Sequence, residues 1–286
     1  MAKNTWLLDF KNDVYSQTGE DGIIQEILKV IGETDKWCVE FGAWDGSKFS
    51  NTRNLIENMG YSAVLIEADR ARYKALERNF ADNKNVIAIN KTVGFGADDN
   101  LDKVLGLTPI TAQFDFLSID IDGNDYHVWN AIKCYEPKVV CVEFNPTIPN
   151  EVQFVQKADP HINQGTSIAS FVMLAKEKGY ELASITLYNA FFVKKEYFPL
   201  FQIEDNSLPA LRTSLASVTY IFSGYDGKVF LHGSCNIPSH DVYYRENKVQ
   251  QLPKILRKYA ENYGPFEKIL YKIFRFWNLR EQNKKK

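Results

Sequence analysis

Short apolar segments recur through the first half of the chain, and each ends in glycine, acidic or polar residues. They are residues 37–41, 63–66, 86–89, 114–119 and 139–142. Between several of them, apolar residues at three- and four-residue spacing predict helices, as in 70–80. Strands that alternate with helices form a mainly parallel sheet covered on both faces. We therefore predict an α/β fold, in which ligands bind beyond the carboxyl ends of the strands.

The second half departs from this alternation. A helix over 167–178 is followed by two apolar segments that predict a hairpin, at 182–187 and 190–193. Beyond Lys195 a second hairpin is predicted within an irregular stretch. We therefore predict three parts, which are a main α/β domain, an appended hairpin or cap region, and basic amphipathic C-terminal helices. Their bounds are 1–195, 196–251 and 252–286.

Charge is unevenly distributed along the chain. The whole chain has 34 Lys and Arg against 36 Asp and Glu, a net charge of −2. Residues 252–286 contain ten basic and three acidic residues, so this segment has a net charge of +7 and residues 1–251 have −9. The acidic body and the lack of a recognition motif argue against a nucleic-acid partner. The basic tail has apolar residues at helical spacing, which favours peripheral contact with an anionic membrane or a homo-oligomer contact. Packing on its own domain is an equally simple explanation.

Cysteine usage and hydropathy bear on the compartment. Cys38 and Cys141 lie within predicted strands, where a free thiol packs as a small hydrophobe, and the chain has no C-x-x-C pair. The first residues lack the apolar core of a signal peptide, and no segment approaches the ~20 apolar residues that cross a bilayer. We expect a cytoplasmic protein, placed at the inner membrane surface if the tail binds lipid.

A glycine turn follows the first strand, with the sequence Glu40-Phe41-Gly42-Ala43-Trp44-Asp45-Gly46. Small residues there let a nucleotide-like ligand approach the backbone, although such a turn also serves simple chain reversal. Glu67 ends the second strand, where nucleoside binders place an acid that accepts hydrogen bonds from the ribose hydroxyls. Without a full G-x-G-x-x-G motif, an adenosine ligand lacking phosphates is favoured over a dinucleotide.

Acidic and amide side chains follow the fourth and fifth strands. Asp120 and Asp122 form a D-x-D pair, and Glu143 and Asn145 follow the next strand. Oxygen ligands of this kind suit a hard cation such as Mg²⁺, and a carboxylate can act as a general base. The alternative is that these acids cap the helices that follow. His127, one turn further on, is a candidate base or substrate contact.

Taken in order, these motifs resemble the FkbM-like family of S-adenosylmethionine-dependent methyltransferases over residues 15–195. The matching segments are 16–17 with 20–21, 39–46, 50–52, 65–67 and 116–123. The resemblance implies a Rossmann-like class I methyltransferase fold, with a seven-stranded, mainly parallel sheet whose last strand is antiparallel. It also implies S-adenosyl-L-methionine as cofactor, lying across Gly42 to Gly46 with its ribose on Glu67.

Residue roles combine this resemblance with the type and position of each residue. The expected cofactor-binding residues are Gln17, Glu40, Gly42, Ala43, Trp44, Asp45, Gly46, Asn51, Thr52, Glu67, Ala68, Thr92 and Asp120. The expected catalytic residues are Asp120, Asp122 and His127, and a divalent cation such as Mg²⁺ would be held by Asp120, Glu143 and Asn145.

The resemblance implies O-methylation of a sugar or glycan-building intermediate, such as a capsule or lipopolysaccharide precursor, with a sugar nucleotide or glycan as acceptor. One alternative is methyl transfer to a small phosphorylated or carboxylated metabolite, or to an amine. Another is a membrane-associated scaffold that keeps the fold without turnover. The sequence leaves all three open.

Overall fold

A computed structural model describes residues 3–283, with side chains described through residue 280. The chain divides into two compact units, Met1–Ser214 and Leu215–Lys286. Residues after 195 pack within the first unit, where the indole N–H of Trp6 donates to the carbonyl of Phe201 at 3.0 Å. The three-part division into 1–195, 196–251 and 252–286 stays a prediction. Phe201 and Leu211 are fully buried.

The first unit is built on a seven-stranded sheet with the order β3-β2-β1-β4-β5-β7-β6. Its strands are β1 (Trp37–Phe41), β2 (Ser62–Glu67), β3 (Val86–Asn90), β4 (Phe116–Ile119), β5 (Val139–Glu143), β6 (Tyr180–Ile185) and β7 (Asn189–Lys194). Strands β1 to β5 are parallel, and β7 runs antiparallel to both of its neighbours. The predicted Rossmann-like architecture is confirmed, including its antiparallel last strand.

Helices connect most of the strands of the sheet. They are α1 (Glu20–Ile31), α2 (Arg53–Met59), α3 (Arg70–Asn79), α4 (Leu101–Leu105), α5 (Asp125–Ala131), α6 (Ile168–Glu177) and α7 (Leu208–Leu211). The short 3₁₀ segments Trp6–Phe10 and Phe198–Phe201 complete the unit. The sequence analysis missed α4, whose single turn is capped by Asn100, because five residues are too few for a helical period.

The second unit contains the predicted hairpin, now β8 (Thr219–Ser223) and β9 (Val229–Gly233), and the small pair β10 (Asn236–Ile237) and β11 (Val242–Tyr243). It continues through α8 (Glu246–Val249) to α9 (Pro265–Asn283). The helix expected before Gly264 is wrong, since 254–256 and 260–262 form only 3₁₀ turns. Within the described residues, no helix has the length and apolarity that a membrane crossing requires.

Strand register sets the geometry of the ligand-binding edge. Phe41 lies opposite both Ile66 and Ile119, and Ile119 lies opposite Val142. The residues that directly follow Phe41, Ile66, Ile119 and Val142 therefore lie in one row along the edge of the sheet. That row contains Gly42, Glu67, Asp120 and Glu143. Four residues far apart in sequence are thus brought together by pairing alone.

Glu20, at the start of α1, connects the N-terminal segment to the β6–β7 hairpin. Its carboxylate accepts hydrogen bonds from the Thr18 hydroxyl and backbone N–H, and from the Thr186 hydroxyl at 2.6 Å. Asn189 adds an amide donor at 3.3 Å. Burial alone would raise the pKa of Glu20, but the hydrogen bonds from Thr18 and Thr186 outweigh it, and the pKa is lowered.

We expect Glu20→Gln to lower the free energy of unfolding at pH 7 by about 1–3 kcal/mol, because a buried charge-assisted network is lost. The folded-state pKa of Glu20 lies below its ordinary 4.5. The wild-type advantage is therefore complete above pH 4.5 and shrinks as pH falls through the folded pKa. Urea unfolding at several pH values measures this. The exposed Glu151→Gln is the matched control; equal losses for both variants would contradict the assignment.

Candidate functional site

A cavity of about 850 Å³ opens at the carboxyl ends of β1 to β5. Its wall includes most residues that the sequence predicted for the site. These are Gln17, Glu40, Gly42, Ala43, Trp44, Glu67, Ala68, Thr92, Asp120, Asp122 and Glu143. The cavity thus lies where an α/β sheet is expected to bind its ligand.

The glycine turn after β1 is shaped by contacts within the protein. Gly42 has a φ of +79°, and a Cβ there would come 1.8 Å from the backbone oxygen of Asp120. Gly46 has a φ of +70°, and its Cβ would come 2.5 Å from Leu76 and Phe80 side-chain carbons. The sequence analysis explained both glycines by the approach of a ligand. Here, close packing of the turn on the end of β4 and on α3 requires them.

Glu67 lies at the end of β2 and faces the cavity. Its Oε2 accepts from the backbone N–H of Trp44 at 2.8 Å, and its Oε1 accepts from that of Asp69 at 2.7 Å. The carboxylate therefore fixes both the glycine turn and the entry into α3. Each oxygen retains a second lone pair that can accept a hydrogen bond from a ligand.

Glu40, in β1, is held by the segment that follows the turn. The Ser50 and Thr52 hydroxyls each donate to its Oε2 at 2.7 Å, and the backbone N–H of Asn51 donates to its Oε1 at 2.9 Å. Burial outweighs these bonds and raises the pKa of Glu40. Asn51 and Thr52 are themselves buried outside the cavity wall. Both residues donate hydrogen bonds that fix Glu40. The side-chain amide of Asn51 also donates to the Ser118 hydroxyl at 3.1 Å.

Three carboxylates from the ends of β4 and β5 converge in the cavity. Oxygens of Asp120, Asp122 and Glu143 lie within 4.8 Å of one another. Burial raises the pKa of Asp120 and of Glu143, and the charges of neighbouring acids raise both further. The two side chains share a hydrogen bond, which stabilises the proton on Glu143. Two acids with raised pKa values beside a third carboxylate suit proton transfer or cation binding.

The loop after Asp120 is fixed by Asp125. Its carboxylate is buried and accepts from the backbone N–H groups of Ile121 at 2.8 Å and Gly123 at 2.9 Å. Asp122, between these donors, has a φ of +56°. Aspartate tolerates this left-handed conformation better than most residues. In this loop conformation the Asp122 side chain forms part of the cavity wall.

Aromatic and cationic side chains form one rim of the cavity. The guanidinium of Arg72 lies 3.8 Å from the centre of the Trp44 ring, and the Lys48 ammonium lies 5.2 Å from it. Lys48 also approaches the Phe49 ring at 5.1 Å. Trp44 and Phe49 have φ values of +50° and +57°, which are strained for bulky residues. All four residues line the cavity.

Several expected site residues lie outside the cavity wall. The Asn145 Oδ1 accepts from the N–H and hydroxyl of Thr147 and its amide donates to Gln164, so it is not part of the carboxylate group. His127 contacts the Gln156 carbonyl at 2.8 Å and the Phe95 ring, and is not among the residues of the wall. Asp45 accepts from two backbone N–H groups of its own turn. Among the described acidic, histidine and cysteine side chains, Asp120 and Glu143 of the expected metal group come together with Asp122.

Sequence reasoning missed part of the wall because these residues belong to irregular loops without a motif. They come from the segment after the glycine turn, the start of α3, the segment after β3 and the loop after β4. They are Lys48, Phe49, Asp69, Arg72, Lys91, Val93, Gly94, Phe95, Gly96, Asp99, Ile121 and Asn124. Their position after the ends of strands is the one sequence signal that could have found them.

No protein-family model matches this chain, and no curated protein matches it. Similar solved structures include the N-terminal domain of EvdMO1 in the presence of SAH and D-fucose, with 13% identity and a TM-score of 0.40 over 61% of this chain and 80% of that one. A SAM-dependent methyltransferase from Aquifex aeolicus shows 10% identity and a TM-score of 0.39, over 67% and 97% of the two chains. The glycopeptide N-methyltransferase MtfA complexed with SAM shows 8% identity and a TM-score of 0.35, over 59% and 85%. Similarity at this level assigns neither a substrate nor a residue role.

Substitution of Gly42 by alanine should destabilise the protein more than the same change at Gly60. Both have positive φ, but a Cβ at Gly60 meets nothing within 4 Å. We expect a loss of about 1 kcal/mol for Gly60→Ala, from backbone strain alone. Gly42→Ala should lose at least about 2 kcal/mol more, because of the clash with the Asp120 carbonyl. Urea unfolding of both variants measures the difference, and equal losses would refute the close-packing explanation.

Proposed function

We propose that this chain is a cytoplasmic, FkbM-like S-adenosylmethionine-dependent O-methyltransferase that acts on a hydroxyl of a sugar or glycan-building intermediate. The observation that supports this most directly is the single row formed by Gly42, Glu67, Asp120 and Glu143 at the edge of the cavity. It combines a tight glycine turn, a ribose-binding type of acid and a group of acids suited to proton transfer. The acceptor class rests on the resemblance of the sequence motifs.

Binding of the cofactor would use residues of the turn and of β2. S-adenosylmethionine, when bound, supplies an electrophilic methyl group whose bond to sulfur breaks with its electron pair remaining on sulfur. Glu67 has free lone pairs for two ribose hydroxyls, and Glu40, held by Ser50 and Thr52, offers a carboxylate near Gly42. Ala68 and Thr92 line the cavity beyond Glu67, where an adenine ring would follow its ribose.

The acceptor hydroxyl would be deprotonated by the D-x-D pair. An alcohol is a poor nucleophile, so a base must take its proton as the oxygen forms its bond to the methyl carbon. Asp122 is exposed to the cavity and close to Asp120, which makes it suited to that role. Pro160 and Asn163, from the loop before α6, line the same cavity, and in the proposed mechanism this loop contacts the acceptor. Asn163 is fixed there by donating to the Asp122 carbonyl at 3.0 Å.

A divalent cation fits the group formed by Asp120, Asp122 and Glu143. Three carboxylate oxygens within 4.8 Å match the oxygen-rich ligand sets of Mg²⁺. A cation bound there would lower the pKa of an acceptor hydroxyl and would relieve the repulsion between the acids. We include metal assistance as the alternative to base assistance: with a cation bound, these three residues would be its ligands, and the lowered pKa of the hydroxyl would take the place of a free Asp122 base.

A phosphorylated or carboxylated acceptor is the second candidate, because Lys48, Arg72 and Lys91 all line the cavity. Cations at the rim would attract an anionic group. A sugar phosphate or sugar nucleotide would satisfy both this observation and the leading proposal.

Calorimetric titration with S-adenosylhomocysteine tests the cofactor assignment. Glu67→Gln keeps the side-chain volume but loses the charge, so we expect at least about tenfold weaker binding. Glu77→Gln, an exposed residue of α3, should bind like the wild type. No binding of S-adenosylhomocysteine to the folded wild-type protein would overturn the proposed function and favour the scaffold alternative.

Binding of Mn²⁺, followed by its electron paramagnetic resonance signal, tests the metal group. We expect Asp122→Asn and Glu143→Gln each to weaken Mn²⁺ binding by at least about tenfold, since each removes one charged ligand. Asp99→Asn is the control, because Asp99 lines the cavity but lies outside the group of three. Wild-type protein that binds no Mn²⁺ would remove metal assistance and leave the base mechanism in place.

A further inference from the structure

Helix α9 of the second unit exposes a stripe of large apolar side chains. Its members recur at three- and four-residue spacing, so they share one side of the helix. They are Phe266, Ile269, Ile273, Phe276 and Trp277, each more than half exposed. Leu270 and Phe274, on the adjacent side, are only partly exposed, so the helix has an inner side as well. A contiguous apolar stripe of this size commonly marks a contact surface.

Basic residues accompany this stripe. Lys268, Lys272 and Arg275 project from the side of α9 away from it. Arg280 lies along the stripe, with its guanidinium 4.5 Å from the centre of the Phe276 ring. A cation therefore lies directly beside the apolar side chains of the stripe. The acidic Glu267 accepts from Lys258 at 2.6 Å and from the Gly264 N–H at 2.7 Å, which offsets its charge.

The net charge of the second unit distinguishes the two candidate partners of the stripe, a second copy of the chain and an anionic bilayer. The second unit has thirteen basic and six acidic residues, a net charge of +7. Two copies of such a unit repel one another, whereas an anionic bilayer surface attracts it by about 1 kcal/mol per nearby basic residue. An amphipathic helix with aromatic residues on one side and Lys or Arg on the other is the type that lies within the headgroup region.

We propose that α9 binds the surface of an anionic phospholipid bilayer. Its axis lies in the membrane plane, with Ile269, Ile273 and Trp277 inserted among the acyl chains nearest the headgroups. Lys268 and Lys272 contact lipid phosphates, and Arg280 extends from the apolar layer to the headgroups. This places the chain at a membrane surface without a spanning segment. The inference is independent of the methyltransferase proposal, since it rests on the second unit alone.

Co-sedimentation of the full chain with vesicles tests the inference. The probes are phosphatidylcholine vesicles with and without 30 mol% phosphatidylglycerol, at 0.1 M and 0.5 M NaCl. We expect at least about tenfold stronger partitioning to the anionic vesicles at low salt, falling at high salt because surface charge is screened. Equal partitioning to both kinds of vesicle, or none to either, would overturn the proposal.

Variants locate the contact. Ile273→Ser combined with Trp277→Ser should reduce partitioning to anionic vesicles at least about tenfold, because two inserted side chains are lost. Leu107→Ser removes an 82% exposed apolar residue of the first unit and should partition like the wild type. An unchanged far-ultraviolet circular dichroism spectrum, with unchanged helical content, shows that the double variant is folded.

Sedimentation velocity of the same proteins without lipid tests whether a second copy of the chain, rather than a bilayer, covers the stripe. A wild-type dimer that the double variant converts to a monomer, with no vesicle binding by either, would show that a second copy covers the stripe and would overturn the proposal. Normal partitioning by the folded double variant would also overturn it. Monomeric protein with lipid binding that depends on Ile273 and Trp277 supports it.

Discussion

Buried carboxylates that accept hydrogen bonds from backbone N–H groups determine the shape of the cavity end of the sheet. Glu40 fixes the segment before α2, Glu67 fixes the glycine turn and the start of α3, and Asp125 fixes the loop after β4. A carboxylate removed from water costs several kcal/mol unless such donors replace the lost hydration. The loops therefore adopt the conformations that direct their N–H groups toward these acids. The functional site depends on this arrangement, because the same loops form its wall.

The parallel sheet and its ligand-binding edge were predictable from the sequence because both follow from local patterns. The apolar segments predicted the strands, and the acids at strand ends predicted Glu67 and Asp120 as cavity residues. Pairing of β1 with β2 and β4 then brought the expected residues together. Residue type and position along a strand were sufficient for this part of the site.

The remainder depends on partners that are distant in sequence or on backbone geometry that no motif encodes. Asn145 has the residue type of a metal ligand, but Thr147 and Gln164 occupy its polar atoms. His127 lies one turn beyond the D-x-D pair, yet the Gln156 carbonyl holds its ring. The apolar spacing of 252–263 resembled a helix, but the chain there forms only short 3₁₀ turns separated by extended residues. Periodicity indicates which side chains are apolar and does not ensure that a helix forms.

The positive φ angles of Trp44, Phe49 and Asp122 have a practical consequence for anyone who engineers this chain. Backbone strain of this kind costs on the order of 1–3 kcal/mol at each position, and all three residues line the cavity. Replacement by glycine would relax the backbone and raise thermal tolerance, while removing a ring or a carboxylate from the wall. A screen that selects only for heat resistance would therefore accumulate changes at positions that form the wall of the candidate site. Selection for stability in this protein should be coupled to selection for ligand binding.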